Sequence, residues 1–320
     1  MEGVITGPQA GTANDAAPFF TPELLHPVHD FGPRTIDFRR QVAVMAIINR
    51  TPDSFYDGGR TFALKAAVAA ALRAADDGAH WVDIGGVPFA PGPALSAQEE
   101  CDRVLPVVRA VAEASDVIIS VDTFLPEVAS RSLAAGAHVI NDTTGLSHPD
   151  LARVVADAGA HLVLTHSLAA PRTAYPRPQY RDVVREVAEF LARRTELAMD
   201  LGLGAGQLII DPGHDLNKNT IHSLEITRRF RDIAALPFPA LAAVSNKDFI
   251  GETLGTAKSE RLEGSLAAAV ISILGGARIV RMHNVAAAVA AVRMTEAALG
   301  WRAPIRLRHN MGDANTPDGL

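Results

Sequence analysis

Eight short, mostly apolar runs recur along the chain, and each is followed by a segment with helical spacing. They are VAVMAIIN (42–49), HWVDIGG (80–86), VIISVDT (117–123), HVINDT (138–143), HLVLTHS (161–167), QLIIDPG (207–213), ALAAVSNK (240–247) and RIVRMHNV (278–285). Apolar residues between them repeat at helical steps, as in Val183, Val187, Phe190, Leu191 and in Leu262, Leu266, Val270, Ile273, Leu274. Runs without strict alternation suit strands buried on both faces, as in a parallel sheet with crossover helices. Helix after helix stops at glycine before the next run: DDGAH, AAGAH, DAGAH, GGAR. Eight such units predict an α/β fold, a closed (β/α)8 TIM barrel in a single domain, over about 39–300. An open doubly wound sheet is the alternative, weakened because no G-x-G-x-x-G follows the first run. Residues 1–38 read as a flexible lead-in with a short strand near its end, and 301–320 as a loose tail.

Composition narrows the function. A net charge of −6 gives no general attraction to a phosphate backbone, so nucleic acid is not an expected partner. Cys101 is the single cysteine, which rules out an intrachain disulfide, and its helical context makes it a packing residue. The N-terminus lacks a basic start followed by an apolar run, and no apolar stretch reaches about 20 residues. A soluble, cytoplasmic protein is expected.

Nearly every run ends in a polar or charged residue: Asn49, Asp83, Asp122, Asn141 with Asp142, His166, Asp211, Lys247, and Arg281 with His283. In a parallel barrel these carboxyl ends share one face. Any one of them has a plain explanation as a helix cap or turn residue. Together they read as a polar ligand site, because unpaired charge beside a core is costly. Arg281, His283, Lys247 and Asn49 suit an anion, with or without a divalent metal. Asp122, Asp211 and Asn141 suit a flat heterocycle rich in N–H donors, since a carboxylate accepts two parallel N–H bonds.

These residues sit in motifs that resemble the dihydropteroate synthase family: AIINRTPDSFYDGG, WVDIGG, ISVDT, VINDTTGL, LIIDPG, SNKDFIGE, RLEGSLAAA and IVRMHNV, in order over about 40–299. That family condenses a pterin methyl pyrophosphate with p-aminobenzoate. The resemblance implies that Asp122, Asn141, Asp211 and Lys247 hold the pterin. It places Asn49, with Mg2+, and Arg281 and His283 around the pyrophosphate. Asp57 matches a position near the developing cation, and equally suits a turn before Gly58 and Gly59. A homodimer through helices near 260–299 is also implied.

The departures gather on the second-substrate side. The family's Gly-Gly-Glu-Ser-Thr-Arg-Pro-Gly is GGVPFAPG here, so Phe89 and Ala90 stand in place of Thr and Arg. Its Ser-Arg-Lys-Ser is SNKD, so Asn246 replaces an Arg, and Asp248 replaces a Ser that helps receive the aminobenzoate carboxylate. Like charges there are disfavoured by something on the order of 1–3 kcal/mol. His214 and Asp215 replace small or aromatic residues beside the pterin. With His222 they could form a metal cluster, although loop hydrogen bonding is the plainer role. His166 reads as a satisfied strand-end histidine. The pattern resembles a divergent actinobacterial group within the family regarded as lacking synthase activity. The expectation is a pterin-pyrophosphate-binding paralogue with an altered acceptor, an aromatic amine or another nucleophile. Alternatives are a working dihydropteroate synthase and a barrel aldolase using Lys247 as a Schiff-base amine.

Overall fold

A computed structural model of the chain describes residues 19–49, 57–87, 92–169, 171–175 and 177–309, except for the side chains of Asn49 and of residues 57–62. Eight parallel strands close a barrel: β3 (Ala43–Asn49), β4 (Trp81–Gly85), β5 (Ile118–Asp122), β6 (Val139–Asp142), β7 (His161–Thr165), β8 (Leu208–Asp211), β9 (Ala240–Ala242) and β10 (Ala277–Met282), the last pairing with the first. Ten α-helices connect and sheathe them among the described residues: α1 (Asp57–Asp76), α2 (Ala97–Ala114), α3 (Pro126–Ala134), α4 (Asp150–Asp157), α5 (Val183–Asp200), α6 (Thr220–Arg228), α7 (Phe230–Ala234), α8 (Asp248–Leu254), α9 (Leu262–Leu274) and α10 (Val285–Ala298). The closed parallel barrel is the predicted fold. No helix of the described residues is long and apolar enough to cross a membrane.

Two cores explain why the strands read as continuous apolar runs. Alternate side chains point inward, so Met45, Trp81, Ile118, Val139, Val163, Ile209, Leu241 and Ile279 fill the barrel axis. Their neighbours Val44, Val82, Ile119, Ile140, Leu162, Ile210, Ala242 and Val280 face the helices in a second cluster. Strand periodicity thus survives, but both faces are dry. α2 begins at a Ser96–Glu99 capping box, and α5 at an Asp182 cap. Gly136, at φ 109°, supplies the left-handed turn between α3 and β6 that the AAGAH signal predicted. Cys101 is buried, in keeping with a packing role.

The lead-in differs from expectation at its end. Val28–Asp30 (β1) and Thr35–Asp37 (β2) pair antiparallel. The hairpin drives Phe31, Ile36 and Phe38 into the axial core beside Trp81. These residues plug the amino-terminal floor of the barrel, which local periodicity could not reveal in so short a segment. His29 and His161 meet there, with ring centroids 5.4 Å apart. Burial lowers His29 to about 4 and His161 to about 3. Both are neutral when folded, while the unfolded chain protonates them below pH 6.5. Their stabilising contribution is therefore complete above pH 6.5 and is lost progressively as pH falls toward 4. At pH 4.5 the loss is about 2–3 kcal/mol for each. Melting from pH 7.5 to 4.5 should show a fall that His161→Phe reduces. An unchanged slope in that variant would refute the assignment.

Candidate functional site

Inward parity also builds the site. At the carboxyl ends of the strands the axial positions switch from apolar to polar: Asp83 on β4, Ser120 and Asp122 on β5, Asn141 on β6, Thr165 on β7, Asp211 on β8 and Arg281 on β10. Asp83 is fully buried and organises the ring. Ser120 Oγ donates to its Oδ1 at 2.7 Å, Asn141 Nδ2 to its Oδ2 at 3.1 Å, and Arg281 Nε to the same Oδ2 at 2.7 Å. Arg281 Nη2 reaches Asp122 Oδ2 at 3.5 Å. One guanidinium thus bridges two carboxylates from adjacent strands. Burial works against the Arg281 cation, but Asp83 and Asp122 outweigh it and hold its pKa above the usual value. Burial, and then the charge of Asp83, pushes Asp122 up to about 7, with Arg281 opposing.

Above this ring lies a cavity of about 640 Å³ whose lining includes Asp122, Asn141, Asp211, Lys247, Arg281 and His283. Asp211 Oδ1 accepts from Gly213 N at 2.7 Å. Burial raises the Asp211 pKa, and Gly213 N–H and Lys247 offset this. Burial lowers the Lys247 pKa, against the attraction of Asp215. His283 is held through Ser245: its N–H donates to Ser245 Oγ at 3.1 Å, and its Nδ1 lies 2.9 Å from the same oxygen. Asn246 and Asp248 lie on the same lining. Asn246 takes a left-handed φ of 54°, which asparagine tolerates well. Asp248 is 84% exposed and ion-pairs with Arg261 Nη1 at 2.9 Å. Arg261 Nη1 also donates to the carbonyls of Asn246 and Lys247. The bare repulsive charge expected at Asp248 is therefore partly compensated.

Seven of the strand-end residues named from the sequence converge here, Asp83 in the ring and six on the cavity lining, and two do not. Asp142 and His166 have the wrong parity. Asp142 turns outward and accepts from the Thr144 N–H and hydroxyl and from Leu146 N. His166 Nδ1 lies 2.9 Å from Lys218 Nζ, with its ring 4.7 Å from Phe190. Burial, then Lys218, lowers His166 to about 2. Asn49 ends β3 opposite Gly85, but its side chain lies outside the described residues, as does that of Asp57. Phe89 and Ala90 lie outside them altogether.

His214, Asp215 and His222 do not make a metal cluster. His214 is fully buried, with Nε2 3.2 Å from Thr227 Oγ1, and stacks near Phe230 and Phe249. His222 Nδ1 accepts from Asn219 N at 3.3 Å. Asp215 bonds to Ser223 and to the start of α8. Loop hydrogen bonding is what these residues do. Among the described residues no group of three or more His, Cys, Asp or Glu could hold a metal ion. The described side chains therefore do not by themselves fit a magnesium centre.

Sequence reasoning missed Glu100 and Lys218. Glu100, on α2, is 1% exposed and lines the cavity, with Oε1 lacking a partner. Glu99 and Asp102 beside it are exposed, so nothing local in the acidic start of α2 marks its burial. Lys218 is 7% exposed, and its Nζ also donates to Leu216 O at 2.9 Å. Its burial has no local signal in HDLNKN.

The pterin binding enzyme family matches residues 45–283 of the chain. An inactive dihydropteroate synthase 2 of Mycobacterium leprae is 41% identical over 269 residues, covering 82% of this chain and 92% of that protein. The dihydropteroate synthase of Escherichia coli is 40% identical over 257 residues, covering 80% and 91%. The structure of dihydropteroate synthase from Xanthomonas albilineans in complex with 7,8-dihydropteroate is similar at a TM-score of 0.76 and 38% identity, covering 85% of this chain and 99% of that one. With the match running from within the first barrel strand to the end of the last, and the charged ring at the barrel mouth, the chain belongs to the pterin-binding enzyme family of the dihydropteroate synthases.

Proposed function

We propose that the chain binds a pterin pyrophosphate at the barrel mouth and has little or no dihydropteroate synthase activity. In this reading Asp122, Asn141, Asp211 and Lys247 hold the pterin, and Arg281, His283 and Asn49 face the pyrophosphate. The observation that carries it is the Asp83–Arg281–Asp122 bridge beneath a cavity also lined by Asp211 and Lys247. Carboxylates at the base of a cavity are paired hydrogen-bond acceptors for a donor-rich ring edge. Mg2+ would enter with the substrate, because magnesium bound to nucleotide-like diphosphates takes most of its ligands from phosphate and water. In this reading Asn49 is the residue assigned to the metal. A cytoplasmic homodimer completes the reading. Ile271 and Leu274 on α9 and Met294 on α10 are exposed, and sedimentation velocity distinguishes dimer from monomer.

The second reading is an active synthase condensing 6-hydroxymethyl-7,8-dihydropterin pyrophosphate with p-aminobenzoate. The Asp248–Arg261 pair favours it, because a partly compensated Asp248 repels an incoming carboxylate less. One assay separates the two: purified protein, Mg2+, the pterin pyrophosphate and p-aminobenzoate, scored for dihydropteroate. The expected result is negligible turnover that rises at least tenfold in the variant Phe89→Thr, Ala90→Arg, Asn246→Arg, Asp248→Ser. Ordinary turnover by the unaltered chain would establish the second reading. Arginine at position 246 inherits the left-handed backbone, a strain of about 1 kcal/mol, so the variant's melting temperature belongs in the same experiment.

A further inference from the structure

We propose that Asp215 is a positioning residue: its carboxylate clamps the loop after β8 to the start of α8 and so sets where the Lys247 ammonium stands in the cavity. The proposal rests on the reading of Lys247 as a pterin contact.

α8 begins immediately after Lys247, which occupies its N-cap without a side-chain hydrogen bond to the helix. The first N–H groups of a helix need an acceptor from elsewhere. Asp215, 33 positions upstream, supplies it: Oδ2 accepts from Asp248 N at 2.6 Å and from Phe249 N at 3.3 Å. The other oxygen is also committed, since Ser223 Oγ on α6 donates to Oδ1 at 2.9 Å. Asp215 N in turn donates to Ser223 Oγ at 3.1 Å. With its backbone amide and both oxygens tied, the carboxylate has little freedom to rotate.

The loop that carries it is held on its other side as well. Asn217 Oδ1 accepts from Ser167 Oγ at 2.7 Å, Leu168 N at 2.8 Å and Ala169 N at 3.0 Å. Asp215 and Asn217 both have left-handed backbones, at φ 63° and 51°, a conformation that Asp and Asn accept more readily than other side chains. The loops after β7, β8 and β9 are thus stapled in series around the cavity, and Asp215 is the staple nearest Lys247. The charged groups acting on Lys247 are Asp215 from this loop, Asp211 from β8, Asp122 from β5 and Arg281 from β10. Among the three carboxylates Asp215 attracts it most strongly. Lys218, behind the loop, repels it. One side chain thus holds the start of α8 and is also the strongest attractive charge on Lys247, opposing the burial that lowers its pKa.

The test titrates 6-hydroxymethyl-7,8-dihydropterin pyrophosphate into the full chain by calorimetry across pH. Lys247 is followed separately, without ligand, by NMR of reductively 13C-methylated protein. Asp215→Ala is expected to weaken binding at least tenfold. Asp215→Asn keeps an oxygen for the two N–H groups and should weaken binding less. Both should move the alkaline fall-off in affinity, and the Lys247 titration, to lower pH. Ser223→Ala keeps the charge and should leave both where they are. Wild-type affinity, alkaline limb and Lys247 titration in Asp215→Ala and Asp215→Asn would overturn the clamp. If the unaltered chain does not bind the pterin, the pterin reading fails, and the clamp stands where Asp215→Ala, which loses both charge and acceptor, moves the Lys247 titration further than Asp215→Asn, which loses the charge alone.

Discussion

Arg281→Met should lower the melting temperature by roughly 5–8 °C. Asp83 is fully buried, and Arg281 is its only cationic contact among the described residues. Removing one member of a buried ion pair leaves the other charge desolvated and unpaired, which destabilises a protein by about 3–5 kcal/mol. A chain of this size loses roughly 1.5 °C per kcal/mol. The same argument makes a sharper demand of the double variant. Asp83→Asn removes the stranded charge while keeping an oxygen for Ser120, so Asp83→Asn with Arg281→Met should recover most of the loss. A double-mutant cycle should give a coupling of at least about 2 kcal/mol. Strict additivity would mean that Arg281 stabilises through packing alone, and the ring would lose its organising charge.

The second large effect concerns binding. Asp211→Asn and Lys247→Ala should each weaken pterin pyrophosphate binding at least a hundredfold in calorimetry. A hydrogen bond to a charged group in a dry site is worth about 1.5–3 kcal/mol, and a bidentate one lies at the upper end or above. An amide at position 211 presents one donor where the ring edge would also donate. Neither side chain anchors a core element, so melting temperatures should stay within a few degrees of the unaltered chain. If both variants bind normally, the pterin lies elsewhere or does not bind.

These effects depend on features of unequal legibility. The eight runs announced the barrel because strands buried on both faces must be apolar throughout, and Asp83, Asp122, Asn141, Asp211, Lys247 and Arg281 stood out as polar interruptions at one end of each. Parity decided among them. The sequence places Asn141 next to Asp142, but only strand direction and register send the first to the cavity and the second to its own loop. The same rule turns Thr165 inward and His166 away from the cavity. The acceptor-side substitutions were legible as changes of residue type. That Arg261 pairs with Asp248 was not, because 13 positions and a turn separate them.

Local chemistry, repeated eight times, is enough to specify strands, crossover helices, their glycine stops and a polar rim, since each follows from neighbours within a few residues. Contacts between distant segments are another matter: the hairpin that plugs the barrel floor, the burial of Glu100 and Lys218, and the grip of Asp215 on the start of α8. Those were settled only when the closed barrel brought loops together across dozens of residues, because hydrogen bonding and desolvation act through space and leave no periodic trace along the chain.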